Sequence, residues 1–353
     1  MAVVGGGVRA LAVARACAVE GAAVALFAPS EIAAAADERA WPVLRAGKSE
    51  SHRAAADLVA PQLLRRAIRR AATDVAAERS GCLTIATSQS EIETLTRRAA
   101  ELKALGAAAW MAPTREIEAL SPPVAGAELP PALFEQDAET IDADALALAL
   151  AEGAAAADAS LIAMTPVASL ERDSGPTALL IGETRVEAGA IVLADDISAI
   201  RLIREGKGRL SLVRDERAIL TTAAGAPAIG PAIEFRDLRV SRDRAGAIVA
   251  SGPPGGDAIA RALLELAPAL GDVEIAREER VTVWRGVDGL AQVGQAEIAG
   301  LWLALGFGRD ALAMALPAAE QLTGLIAGRR GAAAFAPFAP TRRLRRPEQE
   351  AVT

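Results

Sequence analysis

Residues Ala2-Val3-Val4 run straight into Gly5-Gly6-Gly7, and an apolar, alanine-rich segment follows from Val8 to about Val19. Glu20-Gly21 ends that segment before a second apolar run, Ala22 to Phe27. The order reads as strand, glycine turn, helix and strand, the unit in which a dinucleotide lies across the start of the helix. Gly5 permits the tight turn and Gly7 lets backbone amides approach a pyrophosphate. The small Ala10 allows the helix to pack close to the strand, and Val8 and Arg9 complete its first turn. The helix start then offers free N–H groups and a positive dipole end to phosphates. Glycines of this kind can also serve only to turn the chain. Their place inside a complete βαβ pattern favours a nucleotide-binding Rossmann unit, with Gly5, Gly6, Gly7, Val8, Arg9 and Ala10 as its contact residues.

A chain of 353 residues has room for two domains or one large interleaved α/β body. Its net charge of −7 argues against a nucleic-acid partner, which would call for a basic stripe. Tyrosine is absent and Phe and Trp are few, so base-stacking platforms are not expected. Cys17 and Cys82 imply no disulfide framework, and a reducing cytoplasm is the natural expectation. Arg9, Arg15 and Glu20 interrupt the apolar N-terminus, unlike a secretory signal, and every Ala/Leu-rich run carries charge or proline, so no membrane span is expected. No metal site can be assembled around the single histidine, His52, which reads as an ordinary helix-surface residue.

Further along, Ala33 to Arg79 reads as mostly helical, and Cys82 to Ala86 as a short strand. Ser88 with Glu91 has capping-box spacing for a helix from Gln89 to Leu105, ended by Gly106. A short helix is expected over Arg115 to Leu120, and Asp142 is positioned to cap a helix from Ala143 to Ala156. Ser160 to Met164 is a predicted strand. Two more, Ala178 to Ile181 and Ala190 to Ala194, are placed on either side of a turn near Gly182, the second apolar enough for a parallel strand buried on both faces. A β-rich stretch covers Leu210 to Val249. Helices are expected over Asp257 to Leu266 and Ala311 to Ile326, with a strand from Arg280 to Trp284 between them.

Taken in order, these segments resemble the D-amino-acid oxidase family of FAD-dependent oxidoreductases, most closely its glycine oxidase and sarcosine oxidase branch. The resemblance rests on Val3-Val4-Gly5-Gly6-Gly7-Val8 with Gly21, and on Ile141-Asp142-Ala143-Asp144-Ala145-Leu146. It continues through Asp288-Gly289-Leu290 to Gly294, Gly300-Leu301-Trp302, and Gly306-Phe307-Gly308-Arg309-Asp310. It implies an α/β fold whose Rossmann-type FAD-binding domain, a parallel sheet discontinuous in sequence, comprises residues 1–80, 135–205 and 286–340. An inserted α+β substrate domain on a mainly antiparallel sheet would comprise 81–134 and 206–285, with 341–353 as a basic tail. The implied reaction is oxidation of a small amine or amino acid of the glycine, sarcosine or D-amino-acid type, by hydride transfer to FAD, in a homo- or hetero-oligomer. Arg309 stands where the family's "GHxRNG" segment carries an arginine that pairs with the substrate carboxylate, flanked by Gly306 and Gly308 at the cofactor; the competing reading is a helix-start surface residue beside Asp310. Arg342, in a segment similar to the family's "F-x-P-x-R" tail, is a second candidate, set against a solvated basic tail.

Several positions depart from that pattern. Ala28 stands where the family ends its second strand with the acid that holds the adenosine ribose, and Glu31 lies three residues late. The segment Ile32 to Arg39 only partly matches the family's small-residue loop over the flavin. Asp195-Asp196 replaces small residues after the strand Ile191 to Ala194, and two carboxylates near a pyrophosphate would repel it unless they point away. Val283 falls on the position of another family arginine, with Arg285 two residues late. Two functions therefore compete: an FAD-dependent amine or amino-acid oxidoreductase, and a degenerate family member or partner subunit with weak or no flavin chemistry.

Overall fold

The computed structural model describes residues 1–33, 39–45, 77–104, 106–126, 129–171, 177–205, 210–271 and 273–342. His52 and most of the predicted helical region between Ala33 and Arg79 lie outside them. Six short strands form one sheet in the spatial order Gln292–Gln295, Leu301–Leu305, Ile191–Leu193, Ala2–Val4, Ala25–Phe27, Ser160–Ile162. Five run parallel and Gln292–Gln295 is antiparallel at the edge. Burial on both faces explains why strands such as Ile191–Leu193 are apolar throughout.

Helices Val8–Val19, Ala143–Ala156 and Ala311–Ile326 cover one face of this sheet in a single core. Alanine lets them approach closely: Ala10, Ala14, Ala147 and Ala154 are all fully buried at their contacts. Asp142 caps helix Ala143–Ala156, as expected, by accepting the Ala145 N–H at 3.0 Å. The opposite face is covered by helix Asp196–Glu205 and an antiparallel sheet of Ser169–Glu171, Ala178–Ile181 and Thr184–Glu187. One strand here is not expected from the sequence, and Ile191–Leu193 lies in the parallel sheet as its apolar run predicts. The strand returning from the Gly182 turn is Thr184–Glu187, whose mostly exposed side chains give it little apolar signal.

The second large sheet has eight strands, in the order Ile275–Gly286, Leu212–Thr222, Ile248–Gly252, Leu238–Arg242, Ala232–Phe235, Cys82–Ile85, Ala132–Glu135, Ala109–Ala112. All neighbours are antiparallel except Ala232–Phe235 beside Cys82–Ile85. Period-2 alternation divides its faces. Ala218, Leu220, Ile233, Val240 and Ala250 pack under Ile259, Leu263 and Leu266 of helix Gly256–Leu266. The alternate positions, among them Asp215, Arg217, Glu234, Arg239 and Ser251, form a polar face. Segment Arg39–Arg45 lies on it, with Ala40 packed against Ile219 and Val281. Val43–Leu44, Glu139–Ile141 and Ala77–Glu78 add a small fourth sheet. Among the described residues no helix is long and apolar enough to cross a membrane.

Candidate active site

The glycine turn has the shape its sequence predicts. Gly5 has φ +138°, and a side chain there would start 3.0 Å from the Ala10 Cβ and 3.2 Å from the Ala194 carbonyl carbon. Ala10 therefore sits close because it is small. A side chain at Gly6 would come within 2.7 Å of the Glu31 carbonyl oxygen and 3.0 Å of the Ala28 Cβ. The loop after strand Ala25–Phe27 thus lies against Gly6, and the Ala33 N–H donates to the Gly6 carbonyl at 2.9 Å. Gly7 is extended and caps helix Val8–Val19 with no side-chain acceptor and no acid in the first turn. No side chain caps the N–H groups at this helix start, and such groups suit an anion.

Arg9 turns away from that opening. Its guanidinium is buried and lies 2.8 Å from the Asp196 carboxylate, with the Phe307 ring 5.5 Å away. Asp196 also accepts the Gly306 N–H at 2.8 Å. Burial pushes the Asp196 carboxyl up, while Arg9 and the Gly306 N–H favour its charged form. Asp195 accepts the Ser198 N–H at 2.7 Å and caps helix Asp196–Glu205. Both carboxylates of the pair are therefore engaged by the protein, Asp196 with a buried counter-charge and Asp195 as a helix cap. Sequence reasoning missed this ion pair. The available signal was an arginine inside an otherwise apolar helix start and an acid directly after a fully apolar strand.

Gly306 and Gly308 also have positive φ, +69° and +59°. A side chain on Gly306 would meet Leu212 at 2.5 Å and the Gly286 nitrogen at 3.1 Å, and one on Gly308 would meet the Arg285 Cβ at 3.3 Å. Close packing of this turn against the eight-stranded sheet accounts for both glycines. Arg309 follows, and its guanidinium lies 2.5 Å from Asp237 and 3.9 Å from Asp215. Arg217 contacts the same two acids at 2.6 and 2.8 Å. Burial raises the Asp237 pKa, but the two arginines outweigh it and hold the carboxyl below its ordinary value. Arg309 is thus neither a lone surface residue nor an unopposed cation.

A second ionic group sits deeper on the polar face. Glu234 joins Arg45 at 2.5 Å to Arg239 at 2.7 Å, and both guanidiniums lie over the Trp41 ring, at 6.0 and 5.0 Å. Arg45 also reaches Thr84 at 2.8 Å and Glu135 at 3.4 Å, and Arg239 reaches the Arg309 carbonyl at 3.4 Å. The Trp41 indole N–H and the Nε–H groups of Arg45 and Arg239 are buried without an acceptor. Such donors suit an incoming polar ligand. Burial raises the Cys82 thiol to about 12, so it stays protonated and is no nucleophile. Arg342 holds Asp288 with two 2.8 Å bonds and also donates to the Ala291 and Leu290 carbonyls. It closes the Asp288–Leu290 turn instead of extending into solvent.

The uncapped helix start beside Gly5–Gly7 suits the pyrophosphate of a dinucleotide. The ribose end differs, since Ala28 is fully buried and supplies no carboxylate, while Glu31 is exposed on the loop beyond it. Among described residues no cluster could hold a metal ion. Similar folds occur in glycine oxidase from Geobacillus kaustophilus (TM-score 0.86, 22% identity, 98% of each chain) and L-proline dehydrogenase from P. horikoshii (0.83, 17%, 96% of each). L-amino acid deaminase from Proteus vulgaris is also similar (0.86, 12%, covering 97% of this chain and 96% of that one). No curated protein sequence matches the chain. Residues 1–325 match the model of the DAO family, FAD-dependent oxidoreductases, and the chain belongs to that family.

Proposed function

We propose that the protein oxidises a small amine or amino acid, with the glycine turn at Gly5–Gly7 and its uncapped helix start as the observation that carries the reading. FAD, when bound, supplies the acceptor for the hydride that leaves the carbon beside the substrate nitrogen. Gly5–Gly7 and the N–H groups of helix Val8–Val19 hold the pyrophosphate, and Arg9 with Asp196 fixes the neighbouring strand ends. The polar face of the eight-stranded sheet positions the substrate. Arg309 serves as its carboxylate anchor, taking the substrate carboxylate in place of, or together with, Asp237. Trp41, Arg45 and Arg239 offer buried N–H donors beside it. No general base with a tuned pKa is required, which suits a site built of arginines and ion-paired acids.

The test is anaerobic mixing of the FAD-loaded protein with a panel of amines and amino acids. Bleaching of the visible flavin band by one of them supports the reading, and an unchanged band with every member refutes it. With an active carboxylate-bearing substrate, Arg309→Ala is expected to raise KM about tenfold or more while kcat changes less. Unchanged kinetics would remove Arg309 from substrate binding. One observation, the buried Ala28 at the ribose position, favours a second reading in which this family member has lost flavin chemistry. A folded protein that ignores added FAD would select it.

A further inference from the structure

The polar face of the eight-stranded sheet has a second end. Strand Leu212–Thr222 passes Asp215 and Arg217, where Arg309 sits, and then Ile219 and Thr221 on the same face. At the rise of an extended strand, Thr221 lies about 20 Å from Asp215. Around Ile219 and Thr221 a cleft of about 350 Å³ opens between this sheet, segment Arg39–Pro42 and the start of helix Ala143–Ala156. Its size is at the lower end of small-molecule sites, about 300–1,000 Å³.

We propose that this cleft binds a zwitterionic amino acid with an apolar side chain, at a place separate from the Arg309 end of the sheet. Pro42, Ile141, Ile219 and Val249 line it and give an apolar body somewhere to lie. Most of its acids are already engaged. Asp142 and Asp243 accept backbone N–H groups, Asp144 pairs with Arg39 at 2.9 Å, and Glu279 pairs with Arg39 and Arg277 at 3.6 and 3.3 Å. Three charged lining residues are left over. Among the described residues no carboxylate pairs with Arg242 or Arg244, and no cation pairs with Glu78. The Arg242 Nε donates only to the Gly246 carbonyl. The Thr221 hydroxyl and the Arg39 Nε are buried at the cleft with no partner. Two open guanidiniums and a donor-rich wall suit a carboxylate, and the open Glu78 suits an ammonium. A simple anion would use one half of this set and a simple amine the other.

The probe is α-methylleucine, which carries both charges and an apolar body but no hydrogen on its α-carbon, so amine oxidation cannot consume it. Equilibrium dialysis of the FAD-loaded protein against each enantiomer needs no turnover, so the result stands whether or not the proposed oxidation is correct. Binding is expected to survive Arg309→Ala. The double substitution Arg242→Gln and Arg244→Gln is expected to weaken it about tenfold or more, and Glu78→Gln and Thr221→Val should each weaken it by a smaller factor. The three charged positions lie on the surface, so these variants are expected to fold. Absence of binding, binding indifferent to the double substitution, or binding lost only with Arg309→Ala would overturn the assignment. Isovalerate or isobutylamine binding as tightly as α-methylleucine would overturn the zwitterion.

Discussion

Two turns in this protein have the same local recipe, a parallel strand, then glycines, then a helix, and they differ in what packs on the glycines. At Gly5–Gly7 the missing side chains let Ala10, the Ala194 backbone and the Glu31 carbonyl come close, and the helix start has no capping side chain and no acid in its first turn. At Gly306–Gly308 the absence of side chains lets Leu212 and the Arg285–Gly286 backbone come into contact, so the space is filled by protein. A glycine-rich turn in a sequence therefore marks a place where backbone must be approached closely. Whether a ligand or another strand makes the approach depends on elements far away in the chain.

The Arg9–Asp196 pair joins the two turns, because Arg9 comes from the first and the Gly306 N–H of the second donates to the same carboxylate. Removing one charge leaves the other buried. Arg9→Met is expected to destabilise the fold by about 3–5 kcal/mol, and adding Asp196→Asn should restore most of that loss. A double-mutant cycle by chemical denaturation measures the coupling; additive effects would mean the pair does not bind the turns together.

Gly5→Ala and Gly306→Ala sharpen the contrast. Each forces a side chain into a left-handed backbone conformation, at about 1–3 kcal/mol, so both should lower the melting temperature. Only Gly5→Ala is expected to weaken FAD binding about tenfold or more, read by titrating the stripped protein with FAD. Equal losses of affinity would mean that the second turn also contacts the cofactor. A smaller effect is expected from Ala28→Glu, which returns a carboxylate to the ribose end and should tighten FAD by about tenfold, or 1.4 kcal/mol. No gain would mean that the loop packed on Gly6 has already remade that end of the site.

The features legible in the sequence are those whose causes are local. Asp142 as a cap, the helix Ala311–Ile326 and the glycine turn each depend on a few adjacent residues, and all lie where expected. The strand Thr184–Glu187 was not legible because exposed edge positions carry no apolar pattern. The partners of Arg9 and Arg309 were not legible because Asp196 and Asp237 reach them only through strand order and hairpin placement. Asp195-Asp196, read alone, suggested repulsion at the cofactor. In the fold one acid is a helix cap and the other is half of an ion pair, and both functions require geometry that no short motif encodes.

The turn at Gly5–Gly7 is expected to hold FAD although the ribose carboxylate is missing. Flavin content decides it most directly: the protein is stripped, titrated with FAD, separated from free flavin, and its visible spectrum is compared with protein concentration. Close to one FAD per chain is expected. A folded, colourless protein after saturation with FAD would contradict it.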